Sequence, residues 1–148
     1  MLVVVAMATA LVLVGLGGGI YEVLLVDPVW PRRPDLIQPA RGGISRRRFW
    51  IPAHVAFELA LIASLVWAWP HPAVREALLV ALASHAVMRI WSGFYFIPRA
   101  IRFESGEPGS FDEAAARTWT GLSRLRLPLD LITCSAMGWA LVMAARIG

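Results

Sequence analysis

Four uninterrupted apolar stretches dominate this sequence, at about residues 2–26, 51–69, 73–97 and 127–145. Each is close to the ~20 residues that an α-helix needs to cross the hydrocarbon core of a bilayer. Backbone in lipid must satisfy its own hydrogen bonds, so all four are expected to be helices. The fold this implies is all-α: an integral membrane four-helix bundle built as a single domain over residues 1–148. Composition excludes the alternatives. Apolar residues make up 58% of the 148, charged residues 16%, and mean hydropathy is +0.64. A soluble domain is about 45–50% apolar and about 25% charged, and a chain this short has too little interior to hide the excess. Cys134 is the only cysteine, which excludes intrachain disulfide, CxxC and cysteine–zinc chemistry. The first stretch has no basic residue before Arg32 and reads as a retained helix rather than a signal peptide.

The arginines predict the orientation. All 14 basic residues are arginine; eleven lie in the two long loops, and only Arg75 and Arg146 flank the other ends. The positive-inside rule puts both basic loops in the cytoplasm and both termini outside, in a plasma membrane of bacterial inner-membrane type. Trp50 then falls at the inner boundary and Trp67 and Trp69 at the outer one, where aromatic belts form. Anionic lipid headgroups account for these arginines, so nucleic acid is not an expected partner. Ser110-Phe111-Asp112-Glu113 reads as a capping box. Phe111, Ala115, Trp119 and Leu122 follow at helical spacing, predicting a short interfacial helix at about 111–122. Pro28, Pro31, Pro34 and Pro39 predict an extended, irregular first loop. A faint repeat links the halves: each is a helix, a long basic loop, and a helix entered through Pro52-Ala53-His54 or Pro128-Leu129-Asp130.

Ionisable side chains in hydrocarbon are costly and normally face the bundle interior. Seven stand within or at the edge of the spans: Glu22, Asp27, His54, Glu58, His85, Arg89 and Asp130. Counting ~1.5 Å per residue places them in the inner half of the bilayer, with His85 nearest the midplane. His54 and Glu58 are four apart and share a helix face, as do His85, Arg89 and Ser92. Glu22 shares a stripe with Gly15 and Gly18 or Gly19, where a neighbouring helix or a second copy can approach closely. A homo-oligomer is expected on that ground.

The plain reading is a structural ion pair of Arg89 with Glu58 or Glu22. It leaves His54, His85 and Asp130 over, with Tyr21 and Tyr95 close by and His71 as an ordinary loop residue. Carboxyl and imidazole groups in a dry pocket suit general acid–base work. The same set could ligate a transition metal, and one histidine could hold a haem. Neither a paired E-x-x-H, an H-E-x-x-H nor a Gly-rich phosphate loop is present, so no nucleotide cofactor is expected.

Two resemblances bear on this. The Gly-rich first helix ending in Tyr21-Glu22 and Asp27-Pro28, with the overall length, resembles the small bacterial membrane proteins grouped with anthrone oxygenases. Trp50-Ile51-Pro52-Ala53-His54 and Trp91-Ser92-Gly93-Phe94-Tyr95 resemble the Trp-x-x-Ala-His and Trp-Ser…Gly-Phe-Tyr segments of styrene oxide isomerases. The second resemblance implies that His54 is the axial ligand of a haem b and that Tyr95 helps position substrate. The sequence departs from that pattern at Arg89 and Ala60, where the family has aspartate and asparagine.

The expectation is a membrane-embedded enzyme that isomerises or oxygenates a lipophilic small molecule entering from the lipid. Its candidate residues are Glu22, His54, Glu58, His85, Arg89, Tyr95 and Asp130. His54 is central, with Glu58 taking its second ring hydrogen. The alternative is a helper subunit or small proton-coupled transporter using the same groups.

Overall fold

The computed structural model describes every residue except 108, 110 and 148. Helix α1 (Leu2–Tyr21) runs on through a π-turn, Glu22–Val26. Helix α2 is Arg47–Ala68. Helix α3 (Pro72–Trp91) continues through a second π-turn, Ser92–Phe96, into α4 (Ile97–Ser105). Helix α5 (Glu113–Ser123) passes through a 3₁₀ turn, Arg124–Arg126, into α6 (Leu127–Ile147). No strand occurs among the described residues. The four continuous stretches Leu2–Val26, Arg47–Ala68, Pro72–Ser105 and Glu113–Ile147 are long and apolar enough to cross a membrane.

Around the bundle the order is α1–α2–α3–α6, closing on α1. Small residues make this close. Ala8, Ala81, Ala140 and Ala144 are wholly buried in the central core, beside Val5, Leu61, Leu78 and Met137. In lipid, such small side chains let backbones pack by dispersion where no hydrophobic drive exists. The outer faces are apolar as well: Leu59, Ile62, Val66, Val80 and Val87 are exposed. Of the four neighbouring pairs, α2 and α3 share the least contact.

Both π-turns precede a proline. Proline lacks an N–H and its ring clashes with the carbonyl four residues back. A widened turn absorbs that conflict. The Asp27 N–H bonds the Glu22 carbonyl at 2.8 Å, one residue ahead of Pro28. The Ile97 N–H bonds the Ser92 carbonyl, one residue ahead of Pro98. Pro98 thus sits in the first turn of α4, and the third helix runs on to Ser105 rather than ending near residue 97.

The loop after α1 is not extended. Its prolines open two 3₁₀ turns, Pro34–Ile37 and Pro39–Arg41, a position that suits their fixed φ. The loop folds over α4 and α5 around a second core. Trp30 and Ile37 are fully buried there, and the Trp30 ring lies 5.3 Å from Phe103 and 5.8 Å from Trp119. The Gln38 amide donates to the Phe103 carbonyl at 2.9 Å, stitching the loop to α4. At Gly43 a Cβ would fall on the Asp35 carbonyl oxygen and the Gln38 backbone, which cannot move aside. Trp30 Nε1 donates to Asp27 at 3.0 Å, and burial pushes the Asp27 carboxyl up to about 6.

Helix α5 begins at Glu113, two residues later than its spacing suggested. Its cap is Asp112, whose Oδ1 accepts from the Ala115 N–H at 2.9 Å. Aspartate caps as well as serine, and it stands nearer the helical run. The expected cap, Ser110, lies outside the described residues. Glu113 pairs with Arg117 one turn on.

Candidate functional site: a cavity between bundle and cap

Where the bundle meets the folded loops there is a cavity of about 410 Å³. Its walls come from α1 and the first π-turn (Leu11 to Val23), the first half of α2, the end of α3 with the second π-turn, α4, and the α5–α6 junction. Its lining includes apolar Leu11, Val12, Leu16, Phe57 and Met88, and polar Glu22, His54, His85, Arg89, Arg126 and Asp130. Ile51, Val55, Ile97 and Ile101 line it and are exposed. Its wall between α2 and the α3–α4 helix is therefore apolar and accessible. Glu104 of α4 closes the loop side, accepting from Arg47 at 3.0 Å and Arg46 at 3.4 Å.

The structure brings most of the sequence candidates together here. Glu22, standing at the π-turn, accepts a hydrogen bond from Trp50 Nε1 at 2.8 Å. π-turns recur at functional sites because they re-aim side chains out of helical register. His54 stacks on Trp50, with ring centroids 5.3 Å apart and planes 22° apart. The His85 ring lies 5.8 Å away. Neither His54 nitrogen has a hydrogen-bond partner among the described residues, and neither is sealed off. The imidazole is held by its flat face and presents its polar edge to the cavity.

Glu58 does not serve His54 as the shared helix face suggested. Its Oε1 instead meets Arg89 Nε at 2.9 Å and His85 Nε2 at 3.3 Å. A guanidinium on the facing helix outcompetes a neutral ring one turn away, because the charge-assisted bond is the stronger. Glu58 does not line the cavity, but it fixes two residues that do. The plain reading of Arg89 thus has its ion pair, with Glu58 and not Glu22. Asp130 faces the cavity near Gly19 of α1. Tyr21 is exposed on the outside of α1. Tyr95 lies apart: it lines a separate cavity between α4 and α5, with the Arg99 guanidinium 3.8 Å from its ring.

Sequence reasoning passed over Arg126, which it counted as a loop arginine. It stands just ahead of α6 and lines the cavity. Its guanidinium donates to Ser123 Oγ at 2.7 Å and Ser92 Oγ at 3.3 Å, and lies 4.2 Å from the Phe96 ring. Among the described residues, no group of three or more His, Cys, Asp or Glu side chains is placed to hold a metal ion. A haem needs only one axial imidazole, and the open nitrogens of His54 meet that need.

No family model, curated protein or solved structure matches this chain.

Proposed function

We propose that this chain is a membrane-embedded enzyme that converts a lipophilic small molecule, by isomerisation or oxygenation, in the cavity around His54. One observation carries the reading: an imidazole with both nitrogens open faces an open cavity that also holds Glu22 and Asp130. An unengaged polar edge in an apolar bundle is expensive and serves no structural contact. The apolar wall of Ile51, Val55, Ile97 and Ile101 admits a solute from lipid, and Leu11, Val12, Leu16 and Met88 seat its hydrocarbon part. With the arginine-rich loops in the cytoplasm and both termini outside, the cavity lies at the inner boundary of a bacterial inner membrane, and the protein works as a homo-oligomer in contact with lipid. The resemblance to anthrone oxygenases and styrene oxide isomerases points the same way.

A second reading has its own support. His54 can serve as an axial haem ligand as readily as a general base, since its nitrogens are free.

The test is purification in a mild detergent, an absorption spectrum with metal analysis, and turnover of a panel of lipophilic epoxides, enolisable ketones and anthrones. Conversion of one class with a featureless spectrum supports acid–base catalysis, and conversion with a Soret band supports haem. No conversion of any class, and no chromophore, would favour the helper or transporter alternative.

A further inference from the structure

The two halves of the chain build the cavity in matching ways. Trp50 stands two residues before Pro52 and donates to Glu22, the first residue of the first π-turn. Arg126 stands two residues before Pro128 and donates to Ser92, the first residue of the second π-turn. Two residues after each proline come His54 and Asp130, both lining the cavity. From the first π-turn residue to the next proline is the same distance in each half, Glu22 to Pro28 and Ser92 to Pro98. The order α1–α2–α3–α6 around the bundle is the order a two-fold relation between halves produces. The cavity thus has two corresponding corners, one with His54 and one with Arg126.

Four arginines line the cavity, and they are not equivalent. Arg46 and Arg47 share the one Glu104 carboxylate, and Arg89 pairs with Glu58. Among the described residues Arg126 has no carboxylate within salt-bridge distance. Its partners are two neutral hydroxyls and the face of Phe96. Asp130, Glu22 and Asp27 act on this guanidinium only through the field, without touching it, so it remains free to meet directly a charge that develops on a bound molecule.

Building on the enzyme reading above, we propose that Arg126 stabilises an oxyanion formed on the substrate opposite His54. This sets the substrate class: a neutral, lipophilic molecule with an acidic C–H between a carbonyl and a carbon–carbon double bond. The C–H bond breaks, its proton passes to the His54 imidazole, and its electron pair moves onto the carbonyl oxygen beside Arg126. Return of the proton from His54 to a different carbon of the same delocalised anion gives the isomer, with no other reactant. The carboxylates of Glu22 and Asp130 discourage molecules that are anionic before they bind, so the charge is stabilised as it forms rather than on entry.

The test uses 4-nitrophenol, a neutral phenol whose absorption band moves to longer wavelength on ionisation, titrated into the purified full chain in detergent. It reads ionisation rather than turnover, so its outcome is separable from that of the enzyme assay. The bound probe should ionise about tenfold more readily than free probe in the same detergent, a drop of about one pKa unit. Arg126→Gln should abolish the shift, Arg126→Lys should keep most of it, and Arg99→Gln, outside the cavity, should keep all of it. Asp130→Asn, which removes a nearby negative charge, should ionise the bound probe further, and this arm decides the matter if Arg126→Gln does not fold. No shift in the parent, an equal shift in Arg126→Gln, or no increase in Asp130→Asn would overturn the proposal.

Discussion

Replacing His54 by alanine is expected to reduce turnover by about 10²–10⁴-fold, the usual contribution of a positioned general acid or base, while leaving the protein folded. The stability half of this expectation comes from what His54 lacks. It makes no hydrogen bond to any described residue, so the variant leaves no buried partner unpaired. What it loses is the stack on Trp50 and the tilted contact with His85, and aromatic contacts of this kind contribute about 0.5–1.5 kcal/mol. His85 is the contrast. It is 5% exposed, packs edge-on to Phe57 and touches Glu58, so His85→Ala should lower thermal stability more than His54→Ala. Thermal unfolding in detergent together with the turnover assay separates the two. A His54→Ala protein that keeps full activity and any chromophore would remove His54 from the chemistry.

Removing Glu58 should have the largest effect on the fold. Its carboxylate holds Arg89 and His85 together, and Glu58→Ala leaves a guanidinium in an apolar bundle without its counter-charge. A lone arginine at mid-helix costs about 2.5–3.5 kcal/mol on insertion scales. Here the loss should be near the lower end, about 2–3 kcal/mol, because both side chains are about one-third exposed and Arg89 can swing toward the nearer polar boundary. The double variant Glu58→Leu/Arg89→Leu should recover most of it, since replacing both members of a buried pair by apolar groups is often nearly neutral. A Glu58→Ala protein as stable as the parent would show that the pair contributes little.

Hydropathy and the arginine pattern made the four long helices legible, because apolar length is a property each segment carries alone. The convergence of Glu22, His54, His85, Arg89 and Asp130 on one layer was legible for the same reason, since depth follows from position along each helix. Partner choice was not. His54 and Glu58 share a face, yet Glu58 turns to the next helix, where a cation competes for it. Arg126 was hidden by its company: a loop rich in arginines gives no sign that one of them folds beneath a tryptophan and between two serines. The spacing of Arg126 to Pro128, set beside that of Trp50 to Pro52, was the available clue. The folded first loop also escaped notice, because proline signals a break without saying whether a 3₁₀ turn and a buried Trp30 follow.

On this reading, lipophilic molecules enter the cavity from the side. Photolabelling in native membranes with a neutral alkyl phenyl ketone carrying a diazirine tests it directly. The account predicts labelling on cavity residues between Gly15 and Val23 and between Ile51 and Phe57, suppressed by excess unlabelled ketone. Outward-facing positions such as Leu59 and Val66 should take label that excess ketone does not suppress. Labelling confined to the outward faces, with none in the cavity that competes away, would contradict it.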